Sequence, residues 1–195
     1  FNNFTNSRIN QTKKEEHRNI IEMFFEENEI DSLKKVVVSR IKSIKRNEES
    51  PLKLFEKLCN AYPSAFVYLC RLPNNELWCG ATPETLASYT NGELKTMALA
   101  GTQLIEENKL ENVVWEKKEK DEQIWVQKYI EELFISHKID YKKLPTKTIR
   151  AGHICHIQTA FKAKVDSRKA QLLCHELHPT PAVCGTPMQL AKDFI

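Results

Sequence analysis

Two charged side chains of this sequence stand where they could transfer protons. Lys35 opens the β-branched run of residues 36–38, and partial burial there would lower the pKa of its amine and make it a general base. Glu84 follows Pro83 at the corner after a predicted strand, where it could act as a general acid. Since Lys and Glu are mostly surface residues, an ordinary solvated charge is the alternative at both positions.

A third charged side chain, Glu122, is predicted to lie along the apolar face of a helix. Val126 and Tyr129, four and seven residues further on, share that face. An unpaired carboxylate there would be costly, so Glu122 needs a partner. Mg²⁺, which takes one or two carboxylates and completes its shell with water and substrate oxygens, is one candidate. Lys118, one turn earlier, or plain solvation is the other.

Three further residues are candidates for binding an anion. Gly101 and Thr102 form a turn that offers backbone N–H groups and a hydroxyl to a carboxylate, although a lone Gly-Thr pair is a weak signal. His156 lies on the polar face of a predicted strand, where it either donates to an anion or is a structural histidine. A transition-metal site at His153, Cys155 and His156 is disfavoured, because alternate residues of a strand point to opposite faces and no fourth ligand is evident.

Composition and charge exclude several classes of protein. The 195 residues, 41% of them hydrophobic, suffice for one core and suggest one domain or part of a larger one. The net charge of +3 is dispersed, which argues against a nucleic-acid partner. No apolar run approaches the roughly 20 residues of a membrane span, so we expect no membrane partner and a cytoplasmic location. The six cysteines lack any C-x-x-C pair and are predicted to be buried thiols. For the oligomeric state, a monomer is slightly favoured.

Hydrophobic periodicity and turn signals predict a fold of the α+β class, with antiparallel β-sheets packed against flanking helices. Helices are predicted at residues 12–27, 50–62, after 112, at 167–173 and from 186, and strands at residues 35–40, 65–71, 76–79, 85–90, 93–99, from 147, and at 153–165. Asn91-Gly92 is the strongest hairpin signal, and the strands on either side are predicted to join the two preceding strands in an antiparallel meander.

The chain is expected to be incomplete at both ends. It opens on a polar lead-in and closes on residues 191–195, an apolar-periodic helix without a C-cap glycine. We therefore expect residues 1–195 to be part of a single catalytic domain whose N-terminal and C-terminal segments lie outside this sequence.

Six sequence blocks resemble the chorismate-utilising enzymes in order and spacing, and the isochorismate synthases most of all. The blocks are Lys35-Val-Val-Val-Ser-Arg40, Gly80-Ala-Thr-Pro-Glu84, Ala98-Leu-Ala-Gly-Thr102, Lys118-Glu119-x-x-Glu122-Gln123-x-x-Val126, His156-Ile-Gln-Thr159 and Leu177-His-Pro-Thr-Pro-Ala-Val-Cys-Gly185. Together they cover roughly residues 30 to 195, and the combination is far more specific than any one block.

The resemblance implies a role for each candidate residue. Lys35 would deprotonate the water that attacks C2 of chorismate, and Glu84 would protonate the departing C4 hydroxyl. Glu122 resembles one of the family's two magnesium-binding glutamates, the metal holding the ring carboxylate. Gly101-Thr102 and His156 resemble the groups that bind that carboxylate. The family's second magnesium-binding Glu, an Arg, a Tyr and a Gly-rich loop would lie beyond the end of this sequence.

Three positions discriminate between members of the family. Lys35 favours water as the nucleophile, because anthranilate synthases look to have Gln there. Ala100 stands at the position where aminodeoxychorismate synthases look to have a nucleophilic Lys. Ala182 looks like the residue of isochorismate synthases, whereas salicylate synthases look to have Thr at this position.

The resemblance therefore implies an isomerase, a magnesium-dependent isochorismate synthase of menaquinone or siderophore biosynthesis. The alternatives are a salicylate synthase, which goes on to eliminate pyruvate, and a non-catalytic chorismate-binding fragment.

Overall fold

The structure is a computed structural model that describes residues 13–26, 33–45, 49–105 and 110–195. Its helices are α1 (Lys14–Glu26), α2 (Pro51–Ala61), α3 (Lys117–Ser136), α4 (Ser167–Glu176) and α5 (Met188–Phe194), with a 3₁₀ turn at Leu110–Asn112. Its strands are β1 (Lys35–Val36), β2 (Phe66–Arg71), β3 (Leu77–Thr82), β4 (Ala87–Thr90), β5 (Glu93–Leu104), β6 (Tyr141–Lys143), β7 (Lys147–Ala151), β8 (Ile154–Lys164) and β9 (Gly185–Thr186). All the strand pairs are antiparallel, as the α+β prediction requires.

The chain divides into two compact units. The first comprises Phe1–Glu27 and Val38–Glu84, and the second Asn28–Val37 and Thr85–Ile195. The prediction of a single catalytic domain stays a prediction. No helix among the described residues is both long enough and apolar enough to cross a membrane.

The first unit contains α1, α2 and a two-stranded sheet of β2 and β3. Helix α2 begins where the sequence predicts, because the Ser50 hydroxyl accepts the N–H of Lys53 at 3.2 Å and Pro51 occupies the first turn. The predicted start of α1 at residue 12 lies outside the described residues.

The second unit is organised by a five-stranded sheet. Its strand order is β4-β5-β8-β6, and β7 also pairs with β8. Asn91 and Gly92 have φ angles of 52° and 79°, the left-handed conformation that a two-residue hairpin needs at both positions, so the predicted β4/β5 hairpin is confirmed. Strand β8 buries every second side chain from Cys155 to Ala163, as its alternation predicts.

Two strand predictions are wrong. The strands at 66–82 and those at 87–104 belong to separate sheets and do not form one meander, because β2 and β3 pair only with each other among the described strands. The strand predicted at 35–40 is reduced to Lys35–Val36, since its partner β9 has only two residues. β-branched residues favour extended backbone, but the length of a strand is set by its partner.

Helix α3 packs on β5 and β8 and forms the core of the second unit with them. Its fully buried stripe consists of Gln123, Val126, Ile130 and Phe134. Val126, Ile130 and Phe134 are buried as the apolar periodicity of the helix predicts, and Tyr129 and Leu133 pack against the same core while partly buried. The burial of the polar Gln123 was not predicted. Glu122 consequently lies at the edge of the packed face, where its carboxylate can reach groups beyond the helix.

Replacing Ile130 by Ala should destabilise the second unit and so loosen the helix that carries Glu122. Ile130 is fully buried, and a cavity of this kind costs about 2–5 kcal/mol of unfolding free energy. The matched control is Ile135→Ala on the same helix, where the side chain is 65% exposed and little should change. Chemical denaturation of both variants measures the difference, and equal losses would contradict the packing described above.

Candidate functional site

Backbone pairing with the chain that precedes α5 fixes the position of Lys35. Lys35 and Val36 pair with Thr186 and Gly185, and the N–H of Val37 donates to the carbonyl of Cys184 at 2.8 Å. The Lys35 side chain is 16% exposed. Burial lowers the pKa of its amine below the ordinary value of lysine, Glu122 opposes that change, and the positive charge of Lys118 adds to it. This is the electrostatic setting of a lysine that can act as a base.

The partner of Lys35 is Glu122. Its Oε2 lies 3.9 Å from Nζ of Lys35, and its side chain is 23% exposed. The two residues come from β1 and α3, far apart in the sequence. Of the partners considered from sequence alone, Mg²⁺ and Lys118, neither anticipates this contact. A half-buried carboxylate thus faces a half-buried amine at the edge of α3.

A second carboxylate, which sequence reasoning did not single out, lies on the same helix. Glu119 precedes Glu122 by three residues, so the two share one face of α3. Oε2 of Glu119 is buried and has no hydrogen-bond partner within the described part of the chain. The Glu-x-x-Glu spacing was visible in the sequence and is the signal that could have indicated this residue. A buried acceptor without a donor marks a place where a cation or a donating ligand would be stabilised.

Gly101, Thr102 and His156 lie together where the β5/β8 register shifts. Gly101 has a φ of +69°, and a Cβ there would lie 3.0 Å from Cβ of Glu119, so the backbone and the helix approach closely. Nδ1 of His156 is 3.0 Å from the Gly101 carbonyl oxygen and 3.2 Å from Oγ1 of Thr102. A carbonyl only accepts, so the proton belongs on Nδ1, and Nε2 can donate to an anion only when the ring is an imidazolium.

The remaining predicted residues lie in different surroundings. Ala182 is partly buried against the core of the second unit, in the turn where the amides of Val183 and Cys184 both donate to the Thr180 carbonyl at 3.1 Å. This turn leads directly into the strand that pairs with Lys35. Glu84 belongs to the first unit, where it is exposed and its N–H donates to Oγ1 of Thr82 at 3.2 Å.

The described residues contain no group of three or more His, Cys, Asp and Glu side chains that could hold a metal ion. In the set of His153, Cys155 and His156, the sulfur of Cys155 contacts the Gln103 carbonyl at 3.6 Å. What the second unit does bring together is Lys35 with Glu122, and Gly101 with Glu119, Thr102 and His156. A metal here would be a hard cation held by one or two carboxylates and completed by other oxygens.

Comparison with known proteins gives consistent matches over nearly the whole chain. A family model described as a chorismate binding enzyme matches residues 2–195. The salicylate biosynthesis isochorismate synthase of Pseudomonas aeruginosa is 29% identical over 170 residues, which are 83% of this chain and 35% of that protein. A proposed isochorismate synthase of Aeromonas hydrophila is 26% identical over 174 residues, which are 84% of this chain and 44% of that protein.

A solved structure matches in the same way. The crystal structure of a proposed 2,3-dihydroxybenzoate-specific isochorismate synthase, DhbC, from Bacillus anthracis superposes with a TM-score of 0.75 at 25% identity. The match covers 92% of this chain and 52% of that one. The predicted fold is confirmed by this superposition, while the chain spans less than half the length of the curated relatives that it matches.

Replacing Gly185 by Ala should displace Lys35. A Cβ at Gly185 would overlap the carbonyl oxygen of Lys35 and crowd Cβ of Ala191, and Gly185 has a φ of +150°. The control is Gly152→Ala, which has a φ of +65° but open space around the new methyl group, so it isolates the conformational cost of about 1–2 kcal/mol. We expect Gly185→Ala to lower the thermal midpoint more than Gly152→Ala does. Equal midpoints would contradict the close approach of β9 to β1.

Proposed function

Because this chain belongs to the family of chorismate-binding enzymes, we propose that it carries part of the active site of an isochorismate synthase. The reaction would add water at C2 of chorismate and release the C4 hydroxyl, giving isochorismate. The observation that carries the proposal is the half-buried Lys35, with a lowered pKa, held beside Glu122 of α3. The isochorismate synthase names of two relatives support the same activity.

In this proposal Lys35 is the general base. A neutral amine accepts a proton, and the burial that lowers its pKa raises the neutral fraction near neutral pH. As the oxygen of water forms its bond to C2, the amine takes the proton that this water releases. Both ring double bonds shift, from C1=C2 and C5=C6 to C6=C1 and C4=C5, and the bond from C4 to its hydroxyl oxygen breaks.

Glu84 is proposed as the general acid for that leaving hydroxyl, which departs as water with the proton of the carboxylic acid. Its assignment rests on its place after the Gly80-Ala-Thr-Pro83 run that resembles the family. Each turnover thus leaves a protonated Lys35 and an ionised Glu84. One water enters and one leaves, so proton exchange with solvent restores both groups.

The turn at Gly101 and Thr102 is proposed to bind the ring carboxylate together with His156. The fixed hydrogen bond from Nδ1 to the Gly101 carbonyl orients the ring, and the imidazolium then offers Nε2–H to the carboxylate. Gly101 is required because a side chain there would press against Glu119. Ala182 is proposed to face the substrate from the turn that precedes β9.

Mg²⁺ is proposed as the cofactor, and the donor set fits it. Glu119 and Glu122 present two carboxylates from one face of α3, and Oε2 of Glu119 is buried without a hydrogen-bond partner among the described residues. When bound, the cation would hold the ring carboxylate and offset its charge. Glu122 then serves two neighbours, the amine of Lys35 and the cation.

Incubating the enzyme at its full natural length with chorismate and Mg²⁺ tests the proposal. We expect isochorismate to form without pyruvate. Salicylate with an equal amount of pyruvate would assign the chain to the salicylate synthases instead, which Ala182 disfavours. No product with or without Mg²⁺ would refute the enzymatic function and favour a non-catalytic chorismate-binding protein.

Lys35→Ala should lower kcat by roughly 10²–10⁴-fold, the usual contribution of a general base. Chorismate binding, measured by calorimetry, should persist because the groups proposed to hold the carboxylate are intact. Lys34→Ala is the matched control, since the neighbouring Lys34 is exposed and only its backbone takes part in the β1/β9 pairing. A retained rate in Lys35→Ala would show that another group is the base.

The pH dependence of turnover should report the charge of Lys35. Because the base must be neutral, the rate falls as pH drops through its pKa, and burial sets that fall at a lower pH than an ordinary lysine would give. Lys118→Gln removes a positive charge that lowers this pKa, so the fall should move to higher pH. The displacement should shrink as salt is added, since Lys118 is exposed. A displacement in the opposite direction would contradict the assignment.

A further inference from the structure

A buried amide adjoins the two carboxylates of α3. Gln123 is 2% exposed and is the polar member of the stripe that α3 buries against the sheet. We propose that Gln123 is a positioning residue, which sets the placement of α3 over β5 and β8 and thereby the placement of Glu119 and Glu122. The inference rests on the proposed function, because it assigns a task within the same site.

The hydrogen bonds of Gln123 have a specific geometry. Its Nε2 donates to the carbonyl oxygen of Ala98 at 3.2 Å and to Oγ1 of Thr159 at 3.0 Å, so both amide hydrogens are used. Ala98 and Thr159 are directly opposite each other in the β5/β8 register. One side chain of α3 therefore binds both central strands of the sheet at a single cross-strand pair.

The same two strands carry the groups proposed to bind the carboxylate. Gly101 follows Ala98 by three residues on β5, and His156 precedes Thr159 by three residues on β8. Glu119 lies one turn before Gln123 on the helix, where it approaches Gly101. Hydrogen bonds are directional whereas apolar contacts permit sliding, so the amide determines how the carboxylates are placed relative to Gly101.

The amide is also expensive to bury. A carbonyl oxygen can only accept, so the contact with Ala98 fixes Nε2 as the group that faces it and leaves Oε1 of Gln123 without a hydrogen-bond partner in the described chain. A side chain selected for packing alone would be apolar, because an unmet buried acceptor destabilises the folded state. The hydroxyl of Thr159 is also 2.8 Å from that of Thr146, so a hydrogen-bonded network runs from Gln123 through Thr159 to Thr146. A role in positioning α3 explains this buried network better than packing alone does.

The test compares Gln123→Met with Gln127→Met in the enzyme at its full natural length. Both changes replace an amide with a side chain of similar size on α3, and Gln127 is partly buried one turn further on. Three quantities are measured: the thermal midpoint, Mn²⁺ binding by electron paramagnetic resonance as a probe of the divalent site, and kcat and KM at varied Mg²⁺.

We expect Gln123→Met to keep a thermal midpoint close to that of the unmodified enzyme while Mn²⁺ binding or kcat falls about 10–100-fold, the range seen when groups that orient metal ligands are lost. Gln127→Met should match the unmodified enzyme in all three. Unchanged Mn²⁺ binding and kcat in Gln123→Met overturn the proposal, whether or not the thermal midpoint is lowered.

A second pair of variants covers the case in which Gln123→Met does not fold. Thr159→Val removes the hydroxyl that accepts from Gln123, whereas Thr159→Ser retains it. We expect the serine variant to keep metal binding and turnover and the valine variant to lose them, and equal behaviour of the two overturns the proposal. Failure of the proposed function is separate, because the unmodified enzyme would then form no isochorismate at all.

Discussion

The half-buried pair of Lys35 and Glu122 is the interaction on which the candidate site depends. Removing an amine from water favours its neutral form, and a nearby carboxylate favours its charged form. Here burial has the larger effect, so the pKa of Lys35 falls although Glu122 lies 3.9 Å from its Nζ. A more exposed pair would give an ordinary protonated lysine. The burial that both residues receive from β1, β9 and α3 is therefore a chemical requirement as much as a structural one.

The parts of the fold that follow local rules were predictable from the sequence. Asn91 and Gly92 adopt a left-handed backbone conformation that few other residue pairs tolerate. The Ser50 side chain caps α2, and Pro51 occupies its first turn. The alternation in β8 required only that one face be buried. Each of these signals is complete within a few residues, so the sequence contains all the information that decides it.

The errors concern residues whose environment is made by distant parts of the chain. Val37 and Val38 are β-branched and favour a strand. No strand among the described residues pairs with residues 37–40, so the backbone leaves the sheet. The burial of Gln123 in the stripe of α3 was missed because this side chain is polar and its burial depends on hydrogen bonds to β5 and β8. Pairing of Lys35 with Glu122 was invisible for the same reason, since spacing along the chain says nothing about contacts across it.

The family resemblance and the geometry contributed different things to the site. The resemblance indicated which residue types to consider, and it named Lys35, Glu84 and Glu122 without placing them. The geometry added Glu119, whose oxygen is buried without a donor, and the hydrogen bond from Nδ1 of His156 to the Gly101 carbonyl. Both additions depend on what surrounds an atom, which a sequence block does not record.

The pairing of β1 with β9 also has a consequence for how the protein folds. It joins Lys35 to Thr186, so residues 36–185 lie in the loop that this contact closes. Closing so long a loop costs entropy before any contact repays it, and contacts of high sequence separation slow folding. During synthesis Lys35 cannot form this pairing until Thr186 has emerged from the ribosome. The burial that lowers the pKa of Lys35 is thus acquired late, after β9 has been made and has paired with β1.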